Sequence, residues 1–195
     1  MKALLLSAVF TFTLFSFASA QWFHTGLKLG TNINKINGES FSNKFTYGYS
    51  AGAFAEIKLA KKWMIQPEVL FNQVNTDTSD RFSQLYKISP STITNIKLNY
   101  LSIPLLVNYK LSKIISLQAG PQYGILINQS DNLLENGKKA FKNGDFSLLG
   151  GVQIKLASVR IFGRYAVGLN NLNDIDNRDK WKNQSIQLGV GFAIL

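Results

Sequence analysis

Strict alternation of apolar and polar residues, repeated over eight segments of about ten to thirteen residues, restricts this chain more than any other feature. At the C-terminal end Ile186, Leu188, Val190, Phe192 and Ile194 alternate with Ser185, Gln187, Gly189, Gly191 and Ala193. Upstream, Val159, Ile161, Tyr165, Val167 and Leu169 oppose Arg160, Phe162, Arg164, Ala166, Gly168 and Asn170. The same period runs through residues 146–156, 115–127 and 98–111, and less cleanly through 64–75, 48–59 and 24–34. A period of two places successive side chains on opposite faces of a strand. Almost no helical periodicity competes with it. Ordinary strands average five or six residues, so these are long.

The connections alternate as well. Residues 35–47, 76–97, 128–144 and 171–183 are long and rich in Asn, Asp, Ser and Lys, whereas tight turns fall near 60–62, 112–114 and 157–158. Long connections at one end and short turns at the other describe an antiparallel up-and-down meander of eight strands. Two architectures use it, and they differ by being inside out. A lipocalin-type barrel is apolar within, and an outer-membrane barrel is apolar without. Charge placement favours the second. Lys28, Glu56, Lys58, Glu68, Lys110, Asp145, Lys155, Arg160 and Arg164 all lie opposite the large aliphatics, on a face that also carries Gly26, Gly30, Gly52, Gly120, Gly124, Gly151, Gly189 and Gly191. Glycine weakens a water-exposed strand but fits a narrow lumen beside a few long side chains. The expectation is an all-β, eight-stranded antiparallel transmembrane barrel.

The rest of the chain fits export. Lys2, the apolar run Ala3–Phe17 and Ala18-Ser19-Ala20 have the form of a signal peptide, so residues 1–20 are expected to be removed and residues 21–195 to form one barrel domain. No later stretch reaches the roughly 18 apolar residues of a spanning helix. A hydrophobic fraction of 46% with 16% charged residues excludes intrinsic disorder. The absence of cysteine excludes disulfide scaffolds, thiolate metal sites and lipoprotein anchoring. No cofactor is expected.

Several segments resemble a known family. Gly26-Leu27-Lys28-Leu29-Gly30 and Gly52-Ala53-Phe54-Ala55-Glu56 look like the opening strands of the porin-like outer-membrane β-barrel proteins of Bacteroidetes, the group that includes PorT-type proteins. Ile65-Gln66-Pro67-Glu68-Val69-Leu70-Phe71, Tyr100-Leu101-Ser102-Ile103-Pro104-Leu105-Leu106 and Gly120-Pro121-Gln122-Tyr123-Gly124 resemble later strands of the same family. The likeness covers most of the mature chain and implies the outer membrane of a Gram-negative cell. It says little about activity. Leu195 stands where many such barrels end in an aromatic residue, with Phe192 the nearest.

Within a barrel of eight strands side chains from opposite walls can meet. Glu56 and Glu68 lie across from Arg160 and Arg164, and a buried charge left alone costs several kcal/mol. A network of Glu56, Glu68, Arg160 and Arg164, with Lys28 and Lys155 beside it, is expected to plug the lumen. Trp22, Trp63, Tyr109 and Trp181 fall near strand ends and are expected to form an interface girdle. Pro67, Pro104 and Pro121 interrupt strands and suggest bulges or bends.

Enzymatic function has little support. The one histidine, His24, sits at the start of the first strand without a partnered nucleophile. Asn173–Asp179 is oxygen-rich, yet it lacks the glycine and closing glutamate of a calcium loop, and whether it holds a cation is left open. A net charge of +10 is divided between lumen and loops, which argues against nucleic acid. Loop lysines such as Lys138, Lys139 and Lys142 suit anionic lipid or sugar better. The reading is therefore a non-enzymatic barrel with a structural, surface-interaction or accessory role. Its partners would be the bilayer and, through the long loops, lipopolysaccharide or another envelope protein. The alternatives are a narrow channel or secretion accessory of PorT type, and an outer-membrane enzyme acting through loop residues.

Overall fold

Alternation carried over eight segments gives every strand one apolar and one polar face, and closing the sheet hides one of them. In the computed structural model, which describes residues 22–37, 45–77, 95–129, 144–171 and 181–194, the strands are β1 (Phe23–Asn37), β2 (Thr46–Lys58), β3 (Trp63–Asp77), β4 (Asn95–Lys110), β5 (Ile115–Gln129), β6 (Gly144–Leu156), β7 (Val159–Gly168) and β8 (Lys182–Ala193). Each pairs antiparallel with its neighbours in sequence, and β1 pairs with β8, so the sheet is a closed barrel. The expected signal peptide lies outside the described residues.

The aliphatic faces point outward. Leu27, Leu29, Ile103, Leu105, Leu148, Ile161, Leu188 and Val190 are exposed, whereas Lys28, Glu56, Glu68, Asp145, Arg160 and Arg164 are almost wholly buried. A 13-residue strand such as β2, at roughly 3.3 Å per residue and a tilt near 40°, rises about 33 Å. That spans a hydrocarbon core of about 30 Å. Closure leaves no sheet edge, as lipid requires.

Strands outrun the alternation that announced them. β5 continues to Gln129, β6 begins at Gly144, and β8 begins at Lys182, inside stretches expected to be connections. Beyond the hydrocarbon the outer face no longer meets lipid, so apolar patterning lapses while ladder hydrogen bonds continue. At the other end the turns are short, and the β6–β7 hairpin turns through Ala157 at φ 50° and Ser158.

The prolines behave differently from expectation. Pro67 lies in a gap of the β2–β3 ladder between the pairs Phe54↔Glu68 and Ile57↔Ile65, and the register is the same on both sides. The β4–β5 ladder has a similar gap between Pro104↔Gln122 and Val107↔Ala119. Proline removes a donor without adding a residue, so pairing is lost but not shifted. A register shift does occur in the β4–β5 ladder, where β5 accommodates an extra residue, Ile127, between the pairs Asn99↔Asn128 and Tyr100↔Leu126.

Two glycines explain how the lumen admits rings. A Cβ on Gly26 would lie 2.6 Å from the Phe54 ring, and one on Gly189 would lie 2.7 Å from that of Phe162. Both rings occupy space that only a missing side chain provides.

Candidate functional site: the lumen

Inward positions in the half of the lumen nearest the short turns are long and polar, and their reach across the axis builds a connected cluster. Glu68 on β3 is its centre. Its Oε1 accepts from Lys28 Nζ at 2.5 Å, from Arg164 Nη2 at 2.8 Å and from Gln66 Nε2 at 2.6 Å, and its Oε2 accepts from Arg164 Nη1 at 2.9 Å. Glu56 on β2 is held by the two-pronged guanidinium of Arg160, at 2.8 and 3.0 Å, and by Gln153 Nε2 at 3.0 Å. Arg160 also donates to the carbonyl of Ala157 at 2.8 Å, tying the hairpin to the lumen. Such paired forks are the strong form of the carboxylate contact.

Neutral amides join the two carboxylate centres. Arg164 Nε donates to Gln118 Oε1 at 2.8 Å, and Gln118 Nε2 donates to Asn108 Oδ1 and Gln153 Oε1, both at 3.0 Å. Asn108 Nδ2 donates to Gln66 Oε1 at 2.5 Å. The cluster thus draws side chains from β1 to β7. Lys28 Nζ additionally lies 4.3 Å from the Phe162 ring centre and 5.3 Å from that of Phe54, and the Arg164 guanidinium lies 4.6 Å from Phe162. Charge on an aromatic face is attractive when desolvated. Beyond this cluster the lumen is partly apolar, with Leu106, Leu149 and Ala166 packed together.

Of the expected network, Glu56 meets Arg160, Glu68 meets Arg164, and Lys28 meets Glu68. Lys155 does not join. It is paired with Arg160 across the ladder and half-buried, and it makes no ion pair among the described residues. The amides Gln66, Asn108, Gln118 and Gln153 were missed, although their inward parity was available in the sequence. Phe54 and Phe162 were missed as cation partners because an aromatic on a polar face reads as a break in pattern.

The girdle divides. Trp22 and Trp63 are exposed beside the short turns, and Trp63 packs on Tyr109 with ring centres 4.8 Å apart. Lys58 and Lys62 lie over the Trp22 and Tyr109 rings at 5.5 and 5.8 Å. Trp181 is a correction: it is wholly buried and so is no part of a lipid-facing belt. Parity explains this, because Trp181 is in phase with the inward Ser185, Gln187 and Gly191 of β8. Towards the long connections the exposed rings include Tyr47, Tyr49, Tyr123 and Tyr165.

The remaining candidates are simply placed. His24 faces Glu56 in the β1–β2 ladder and is half-buried. Among the described residues no group of three or more His, Asp or Glu lies together as a metal site. The Asn173–Asp179 stretch and Lys138, Lys139 and Lys142 lie outside the described residues.

The outer half of the lumen is different in kind. Asn32, Asn34, Asn72, Tyr100, Ser102, Gln122, Asp145, Asn183, Ser185 and Gln187 surround a cavity of about 20 Å³. Asp145 Oδ2 accepts from Asn183 Nδ2 at 3.1 Å and from Ser147 Oγ at 3.4 Å.

A closed antiparallel barrel with aliphatic walls outside, ionised groups inside, and long connections at one end defines an integral protein of the bacterial outer membrane. The chain belongs to a particular family of that class, the outer membrane protein beta-barrel domain family, whose model matches residues 17–174. No curated protein matches in sequence. Among solved structures it is similar to Ail of Yersinia pestis in complex with the heparin analogue sucrose octasulfate (TM-score 0.52, 10% identity, 89% of this chain and 100% of that one). It is also similar to Neisserial surface protein A (0.51, 15%, 87% and 96%) and to OprG of Pseudomonas aeruginosa (0.52, 12%, 88% and 95%). At these identities the likeness is one of fold.

Proposed function

We propose that the protein is a closed, non-conducting barrel of residues 21–195, freed of a signal peptide, that presents its long connections at the cell surface and catalyses no reaction. The observation that carries this reading is the hydrogen-bonded cluster around Glu68 and Glu56, which reaches from wall to wall. A permeating ion would have to displace charges that are already paired and desolvated, and breaking such a pair costs about 3–5 kcal/mol. A non-catalytic role is supported by His24: the carboxylate facing it is held by Arg160 and Gln153, which leaves no free base and nucleophile pair there.

What the connections contact is argued from charge. Twenty-one basic against eleven acidic residues give +10, or +9 once Lys2 leaves with the signal peptide, and Lys138, Lys139 and Lys142 cluster in one connection that also holds Asp131 and Glu135. Anionic partners follow, either lipopolysaccharide or an acidic envelope protein. The structure of Ail with a sulfated heparin analogue supplies an example of a similar barrel with a polyanion. The likeness of the Gln66-Pro67-Glu68 and Ile103-Pro104-Leu105-Leu106 segments to PorT-type proteins supports an accessory role at the envelope.

Planar bilayers test the closed lumen. The purified protein should give no stable conductance, while Glu68→Gln should give brief, noisy openings as Lys28 and Arg164 lose their partner. A large steady current through the unaltered protein would overturn the reading.

A further inference from the structure

The geometry points to a binding site for a hard, oxygen-seeking cation such as Ca²⁺ in the outer half of the lumen, built on Asp145 and completed by Tyr100, Asn32, Asn34 and Asn183. Of seven buried side-chain oxygens without a hydrogen-bond partner among the described residues, five belong to residues that line one cavity: Asp145 Oδ1, the Tyr100 hydroxyl, and the Oδ1 atoms of Asn32, Asn34 and Asn183. Asp145, Tyr100, Asn32 and Asn34 are each at least 96% buried. Buried acceptors without donors are rare, and each costs about 1–3 kcal/mol. That oxygens from five positions face one cavity gives them a common cause.

Charge identifies the kind of ligand. Asp145 makes no ion pair with a basic side chain among the described residues, in contrast to Glu56 and Glu68, which are both fully engaged by cations. The cavity of about 20 Å³ has room for one water-sized particle. A single water would bring two protons, and the Tyr100 hydroxyl a third, to five acceptors and leave the carboxylate charge uncompensated. One cation satisfies both demands, since carboxylate, amide and hydroxyl oxygens are the donors that hard cations take. With one carboxylate the affinity should be weak, a Kd of about 10⁻⁴–10⁻³ M.

Terbium luminescence tests this directly, because Tyr100 would be both ligand and antenna. The full barrel, refolded in detergent, is titrated with Tb³⁺ and excited through its aromatic residues. Saturable emission that excess Ca²⁺ displaces is expected. Asp145→Asn and Tyr100→Phe should each lower it at least about fivefold at fixed Tb³⁺, given the loss of a ligand in one and of ligand and antenna in the other. The triple variant D174N/D176N/D179N should retain it, which separates the lumen from the nearby acidic connection. Heat-modifiable electrophoretic mobility verifies folding of every variant. Emission that persists in folded D145N and Y100F, emission lost only in the connection variant, or no saturable emission in the unaltered protein would overturn the site. The site does not depend on a non-conducting lumen, so bilayer currents and terbium emission fail independently.

Discussion

A single carboxylate shows how the interior is organised. Glu68 takes Lys28, Arg164 and Gln66 at once, and removing its charge strands two cations where water cannot follow. Glu68→Gln should therefore destabilise the barrel by about 3–5 kcal/mol. Replacing the trio together, Glu68→Leu with Lys28→Met and Arg164→Met, should cost clearly less, because no orphan charge remains. Urea unfolding from lipid vesicles, followed by tryptophan fluorescence, measures both; equal losses would show that packing rather than charge sets the cost. At this scale the sequence was informative about the charged residues, since burial demands partners and few are on offer. It was silent about which acid meets which base, because the amides Gln118 and Gln153 decide the spacing between the two centres.

Elements were legible where lipid imposes a rule and obscure where it does not. β8 could be read residue by residue because Leu188, Val190 and Phe192 face hydrocarbon on a strand whose other side is glycine and glutamine. The outer ends of β5 and β8 could not, because an outer face beyond the lipid is released from the selection for alternation. Trp181 was misplaced for the same reason: near a strand end an aromatic suits either a belt or an interior, and only its phase with Ser185 distinguishes them. The rule on the outer face has a measurable depth dependence. Leu188→Arg, opposite Thr31 and Gly163 in the body of the barrel, should cost about 2–4 kcal/mol, whereas Tyr47→Arg near the outer end should cost about 0–1 kcal/mol. Equilibrium unfolding in vesicles tests the pair; similar values would contradict the assigned membrane position.

At the scale of the molecule, scaffold and surface are separable. Short turns and paired charges hold one end, and the eight strands close the barrel by pairing with their neighbours. Lys138→Gln, Lys139→Gln and Lys142→Gln together should leave folding intact and weaken retention on an immobilised sulfated polysaccharide several-fold at low salt, an effect that added salt erases. Unchanged retention would remove the polyanion from the proposal. One feature of the ladder reaches further than any of these. β1 and β8 meet along a seam where Gly30 faces Gly189 and Lys28 faces Gly191, so the first and last strands to leave the ribosome must find each other to finish the structure. Until then two rows of bare amides would confront lipid, each at a cost of several kcal/mol. Insertion is thus an all-or-nothing event, triggered by the arrival of the final strand and eased by a zipper line whose lumen face is mostly small, with Gly26, Gly30, Gly189, Gly191 and Ala193.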